Sequence, residues 1–220
     1  MTTTRGSSPC SDGQMVVPVF PLPNVDLFPG CVMPLHIFEP RYREMIEDLL
    51  DRPGRLVMGT VLEGESDADG KPQVLCVGGL GEIGRHERLP DGRFLIWLVG
   101  LGRVKLEEVE STHPYRQVRV EPLQEIAVEP GREARLRSRV KSALKMRCPD
   151  FKKLPPDLPL THLVDLLTQK INMPSAVMQD IFCDPDLARR AERVLAEHIC
   201  RPIVSSLPPS ESAESGESGE

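Results

Sequence analysis

The apolar residues of this chain change their period once, near residue 125, and that change limits the possible folds more than any other feature. From residue 15 to about 124 they fall in short runs bounded by Gly, Pro and Asp, with one helical stretch near the start. From about 130 to 204 they recur every three or four residues. Period two marks half-buried strands and period 3.6 marks amphipathic helices. A chain that keeps the two kinds of element in separate stretches is expected to fold as α+β, not as alternating units around a parallel sheet.

In the front stretch, Val16, Val17, Val19 and Phe20 lead into Pro21, Pro23, Pro29 and Pro34. Proline lacks an N–H and suits strand edges and turns, so this part is expected to be a winding edge segment. Pro40 stands where a helix would begin. Tyr42, Met45, Ile46, Leu49 and Leu50 give that helix an apolar face, and Arg52-Pro53-Gly54 ends it. Strands are expected at 56–62, 73–80, 81–89, 94–99, 103–109 and 115–120. Pro90-Asp91-Gly92-Arg93 marks a hairpin, and Gly100-Leu101-Gly102 a separator. Many short strands and one early helix suggest a small closed or half-closed barrel.

The rear stretch predicts a helix from about Pro130 to Cys148, with Leu136, Val140, Leu144, Cys148 and Phe151 as its stripe. Leu163, Leu166, Leu167 and Ile171 mark a short helix, and Pro174 opens another containing Val177, Met178, Ile181 and Phe182. The last helix is expected to be capped by Asp184, with Pro185 at its first position and Leu187, Ala191, Val194, Leu195 and His198 along one side. Such short amphipathic helices fold by burying their stripes against one another and against the strands.

Composition agrees with a packed domain: 40% hydrophobic and 27% charged residues, with aromatics at only 4%, so the core must be aliphatic. No apolar run approaches the roughly 20 residues of a membrane-spanning helix. Residues 1–14 and the acidic tail 205–220 are expected to be disordered. The net charge is −6, and four glutamates of the tail (Glu211, Glu214, Glu217, Glu220) carry most of it, which leaves the remainder near neutral and without a general field for nucleic acid. The six cysteines are scattered and the N-terminus lacks a secretory apolar segment. A reducing cytoplasm is the expected setting, with the cysteines as small core hydrophobes.

Several motifs point toward enzymes and lack the context those enzymes need. Gly79-Leu80-Gly81-Glu82-Ile83-Gly84 has the spacing of a dinucleotide loop. That loop must open a helix whose N-terminus holds the pyrophosphate, and the turn at Pro90 arrives too soon. The glycines are read instead as a bulge or strand junction. Gly64 to Pro72 resembles a phosphate loop but has one residue too many, three acidic side chains, and Pro72 in place of the Mg²⁺-binding hydroxyl. The histidines (His36, His86, His113, His162, His198) show no metal-ligand spacing, so no metal and no cofactor are expected. Ser138, Lys141 and Ser142 share a helix, but on a charged, solvated face. Residues 132–153 hold nine bases and two acids. Such a helix could grip an acidic partner or a phosphate backbone, could receive the acidic tail, or could simply be a wet helix face.

Pro21-Leu-Pro-Asn-Val-Asp-Leu-Phe-Pro-Gly30, followed by Pro34-Leu-His-Ile-Phe-Glu-Pro-Arg-Tyr42, resembles the opening of the LON N-terminal (substrate-binding) domain. Val77-Gly78, Ile83, Leu89-Pro-Asp-Gly-Arg93 and Gly100-Leu-Gly-Arg-Val104 are similar to a second block of that family. The resemblance covers about residues 15–200. It implies a PUA-like β-barrel over 15–124 followed by a helical bundle over 125–204, as a stand-alone domain without the ATPase and Ser-Lys protease parts of Lon peptidase. It therefore implies a non-catalytic module that binds protein or peptide segments, or acts as an adaptor for a protease or chaperone. Phe28, Phe38, Tyr42, Met45 and Trp97 are the candidate apolar contacts in a groove between barrel and helices, and Arg41 and Arg103 the polar ones. Trp97, in mid-strand, is the candidate most expected to be buried. The rival reading is an RNA-binding PUA-like domain using the basic helix 132–153; sparse aromatics weigh against it.

Overall fold

The computed structural model describes residues 15–51, 53–66, 70, 72–148, 155 and 157–203. The termini expected to be disordered, and the expected contributions of Phe151, Lys152 and Lys153, lie outside those residues. The described residues form seven strands and five helices. These are β1 (Met15–Pro23), β2 (Val32–Ile37), α1 (Pro40–Leu50), β3 (Arg55–Ser66), β4 (Pro72–Val74), β5 (Val77–Arg88), β6 (Phe94–Val109), β7 (Gln117–Pro122), α2 (Pro130–Arg147), α3 (Leu160–Gln169), α4 (Ser175–Cys183) and α5 (Leu187–Cys200).

The strands share one mostly antiparallel sheet whose pairings close on themselves. β1 runs antiparallel to β7 through Met15–Pro18, then parallel to β3 through Val19–Pro23. The path β1-β7-β6-β5-β3 thus returns to β1, with β4 attached to β3 and β2 to β6. The expected winding edge segment is therefore corrected: β1 has neighbours on both flanks. Each half pairs on one side only, which leaves the other flank able to accept Pro18, Pro21 and Pro23 without losing a ladder bond. Among the described residues two strands have a single neighbour, β2 beside β6 and the short β4 beside β3, and both are edges.

Two expected breaks are absent. β6 runs unbroken through Gly100-Leu101-Gly102, its first half between β2 and β5 and its second between β5 and β7. β5 likewise runs through Gly81, with register shifts at Leu80/Gly81 and Ile83/Arg85, where the sequence suggested a bulge. The glycines serve close approach. A Cβ on Gly79 would lie 2.3 Å from the Leu27 carbonyl oxygen, and one on Gly100 would lie 2.1 Å from that of Phe28. Leu27 and Phe28 can cross β5 and β6 only because both positions lack a side chain. The β5–β6 hairpin closes through Leu89–Arg93 with Gly92 at φ +81°.

One face of β6 (Phe94, Ile96, Leu98) packs against Tyr42, Met45, Ile46 and Leu49 of α1, together with Phe20, Leu27, Leu56 and Met58. Val17, Val19, Val57, Val104, Val118 and Val120 fill a second cluster. The helices bury Leu136, Val140, Leu144, Leu163, Leu167, Ile181 and Val194 together. Glu129 caps α2 by accepting from Gly131 and Arg132 N–H, with Pro130 following it. The cap of α5 is Asp186, which accepts from Arg189 N–H, and not the expected Asp184. Asp184 instead accepts from Asp186 N–H and pairs with Arg189, holding the turn that precedes the helix. Of the described cysteines, Cys31 and Cys183 pack against the cluster of Phe28, Val77 and Phe182. Cys76 and Cys200 are exposed and Cys31, Cys148 and Cys183 half-buried, so the expectation of core packing is corrected for Cys76 and Cys200.

Two contacts dominate where the front half meets the rear helices. Phe28 meets Phe182 edge-on at 5.1 Å. Beside them the Arg103 guanidinium donates to the carbonyls of Phe182 (2.8 Å) and Asp184 (2.9 Å) and pairs with Glu125 (3.1 Å). Glu125 also pairs with Arg190 at 2.7 Å, and Arg190 pairs with Asp165. The Arg190 side chain is fully buried and that of Asp165 nearly so. Asp165→Ala would leave Arg190 half-compensated in the interior. It is expected to lower unfolding free energy by about 3 kcal/mol in a denaturant titration; a loss within error would contradict the assigned role. Burial pushes the Cys183 thiol up to about 12, and only the thiolate reacts with alkylating agents. Alkylation near neutral pH is expected to modify Cys76 and Cys200 well before Cys183, and equal labelling would count against this packing.

Candidate functional site

The seven residues singled out from the sequence separate into three groups. Phe28, Met45 and Arg103 are buried, and their contacts are internal: the Phe182 ring, the β6–α1 core, and the seam between strands and helices. Phe38 and Trp97 belong to one surface. Arg41 and Tyr42 line a cleft elsewhere.

The surface is the outer face of β2, the first half of β6, and β5. Cross-strand pairs place Val32 beside Val99, Pro34 beside Trp97 and His36 beside Leu95, and β5 sets Arg85 beside Trp97 and Glu87 beside Leu95. Alternation makes these pairs face outward while Phe94, Ile96 and Leu98 face the core. Val32 is 57% and Phe38 60% exposed. Contrary to expectation, Trp97 is only half-buried, because it falls on the outward parity of β6. The Arg85 guanidinium lies 4.8 Å from its ring centre, a cation–π contact that leaves the indole at the surface. The Phe38 ring lies 6.0 Å from that of His36, extending the strip beyond β2. The result is an apolar strip edged by charge and flanked by a strand with one free edge.

The cleft measures about 590 Å³ and lies between the N-terminal turn of α1 (Arg41, Tyr42), Pro21, and the β6–β7 connection from Glu110 to Arg116. Its arginines are already paired. Arg41 meets Glu39 at 2.9 Å, and Arg116 donates to Glu108 at 2.7 Å and to the Pro72 carbonyl at 2.7 Å. Tyr42 packs edge-on against Phe20 at 4.5 Å, and burial raises its phenol pKa. The Ser111 hydroxyl donates to the Tyr115 carbonyl (3.0 Å) and accepts from His113 N–H (3.1 Å), so it is held by backbone and not by a side-chain base. Between strands and helices, where the sequence favoured a groove, lies a recess of about 180 Å³ lined by Gly30, Cys31, His162 and Leu166.

The basic helix is partly self-satisfied. Arg132 pairs with Glu192, Arg137 with Glu133, and Arg147 donates to His198 Nδ1 and to the carbonyls of His198 and Arg201. Burial, with Arg147 beside it, lowers the His198 pKa. Glu44, Asp48 and His113 converge in space, a cluster that sequence spacing could not reveal because two elements far apart in the chain supply it. Among the described residues no helix is long and apolar enough to cross a membrane.

Residues 16–198 match the profile of the ATP-dependent protease La (LON) substrate-binding domain. The chain is 32% identical over 114 residues to Lon protease 2 of Sorangium cellulosum, covering 51% of the chain and 14% of that protein. It is 25% identical over 194 residues to the Lon protease of Heliobacterium modesticaldum, covering 84% of the chain and 24% of that protein. It thus spans a minor part of these relatives. The fold is similar to that of the N-terminal domain of Mycobacterium avium complex Lon protease, with TM-score 0.65 and 17% identity, over 84% of this chain and 98% of that one. It is also similar to a Lon N-terminal domain protein from Xanthomonas campestris, with TM-score 0.61 and 19% identity, over 83% and 98%.

Proposed function

The chain belongs to the family of LON substrate-binding domains, and from this we propose that it is a non-catalytic module that binds apolar segments of protein substrates, as an adaptor linked to ATP-dependent proteolysis. The observation that carries the reading is the outward strip of Val32, Pro34, Leu95, Trp97 and Val99 beside the free edge of β2. An extended polypeptide laid along β2 would gain main-chain hydrogen bonds from the edge and bury alternate apolar side chains on the strip. Phe38 and Trp97 are its apolar contacts, and Arg85 and Glu87 are the charged surroundings. Arg41 and Tyr42 serve the cleft, where a second part of the same substrate could rest. Within this reading the closed circuit of strands is a PUA-like barrel over 15–124, the helices 125–204 form a supporting bundle, and the setting is the cytoplasm.

An RNA-binding role for residues 132–153 has less support, since Arg132, Arg137 and Arg147 are engaged within the fold. Exposed Arg135, Arg139 and Lys145 are what such a role would have to rest on.

Trp97 is the only tryptophan, so its emission reports directly on occupancy of the strip. Titration with extended apolar peptides is expected to shift that emission to the blue. Val32→Asp and Phe38→Asp, at exposed positions, are expected to weaken binding roughly ten- to hundredfold, the value of burying one large apolar side chain. Emission that stays unmoved, or affinity indifferent to both substitutions, would refute the strip. Binding of RNA that falls steeply with salt and is abolished by Arg135→Glu with Arg139→Glu would favour the other reading.

A further inference from the structure

We infer that Glu44, Asp48 and His113 form a binding site for a divalent transition-metal ion of the Zn²⁺ class. Glu44 and Asp48 stand four residues apart on α1, so successive turns present both carboxylates on the same side. His113 comes from the β6–β7 connection. One ligand-capable atom of each residue lies within 4.8 Å of the other two. The His113 Nδ1 to Asp48 Oδ2 distance is 3.6 Å, close to the roughly 3.3 Å that two ligands about 2.0 Å from a tetrahedral ion keep between them.

The cluster is more than a pair of surface acids, because its members are held from outside the ligand set. The Tyr115 hydroxyl donates to Asp48 Oδ2 at 2.7 Å, the kind of outer hydrogen bond that orients a metal-bound carboxylate. The His113 ring stacks on that of Tyr115, centroids 4.8 Å apart and planes 18° from parallel. His113 N–H is tied to Ser111 Oγ. The imidazole is therefore positioned by its loop and is not a free rotor at the surface. Glu44 is exposed and has no hydrogen bond or ion pair among the described residues, so it can turn inward as a third ligand.

Two carboxylate oxygens and one imidazole nitrogen suit Zn²⁺, Co²⁺ or Ni²⁺ and disfavour Cu(I), which seeks sulfur. Three protein ligands leave a fourth position for water. An ion here would tie α1 to the β6–β7 connection, the two walls that carry Tyr42 and Tyr115 into the large cleft. The inference does not depend on the peptide-binding role proposed above.

Calorimetric titration of the full chain with Zn²⁺ alone is expected to show a site whose affinity falls at least about tenfold in His113→Ala and in Glu44→Gln, and about tenfold in Tyr115→Phe, the lower range for an orienting partner. Glu44 and His113 are exposed, so circular dichroism of those two variants is expected to match the parent. Co²⁺ in place of Zn²⁺ is expected to give d–d absorption without a thiolate charge-transfer band. No binding by the parent chain, affinity unchanged in both His113→Ala and Glu44→Gln, or a thiolate band showing cysteine ligation would each overturn the assignment.

Discussion

The structure depends on an alternating set of charges, three of them buried, at the seam between strands and helices. Arg103 comes from β6, Glu125 from the connection after β7, Asp165 from α3 and Arg190 from α5. Desolvation works against two of them: burial lowers the Arg103 pKa and raises that of Asp165. The two positive and two negative groups compensate one another only when all four elements are in place. The Arg103 bonds to the Phe182 and Asp184 carbonyls also satisfy the C-terminal end of α4, which would otherwise be an orphaned helix end. This set gives the junction a definite geometry that the aliphatic clusters on either side, being non-directional, could not supply alone.

The same strand joins that seam to the surface. β6 delivers Arg103 inward from its second half and Leu95, Trp97 and Val99 outward from its first. The outward strip is therefore built on the most extensively paired strand of the sheet, and its only unpaired boundary is the edge of β2. A surface of this kind needs little ordering to receive an extended chain, so less binding energy is lost to immobilisation. The cleft beside α1 has a different character, with its arginines and glutamates already neutralised against each other.

Much of the fold was legible because strand and helix periods are local. The α1 face, the stripes of α2 and α3, the PDGR hairpin and the bulge glycines of β5 could all be read from spacing. The double pairing of β1 could not, because nothing in Met15–Pro23 says that its neighbour changes at Pro18. The continuity of β6 was hidden by Gly100 and Gly102, of which Gly100 serves close packing of Phe28 and neither makes a break. Of the candidate contacts, Phe38 and Trp97 share a surface. Phe28, Met45 and Arg103 were chosen by residue type, and type alone does not separate a side chain that meets a partner from one that meets Phe182 or α1. The Glu44–Asp48–His113 cluster and the seam charges were invisible for the same reason, since each unites residues from distant elements.

We propose that polypeptide substrates are held on the outward face of β2 and β6. Amide hydrogen exchange of the full chain, with and without a saturating unfolded-protein peptide, tests it most directly. Slowed exchange confined mainly to residues 32–38 and 94–99 is the predicted result. Slowed exchange concentrated in α2, with the β2 and β6 segments unchanged, would contradict it.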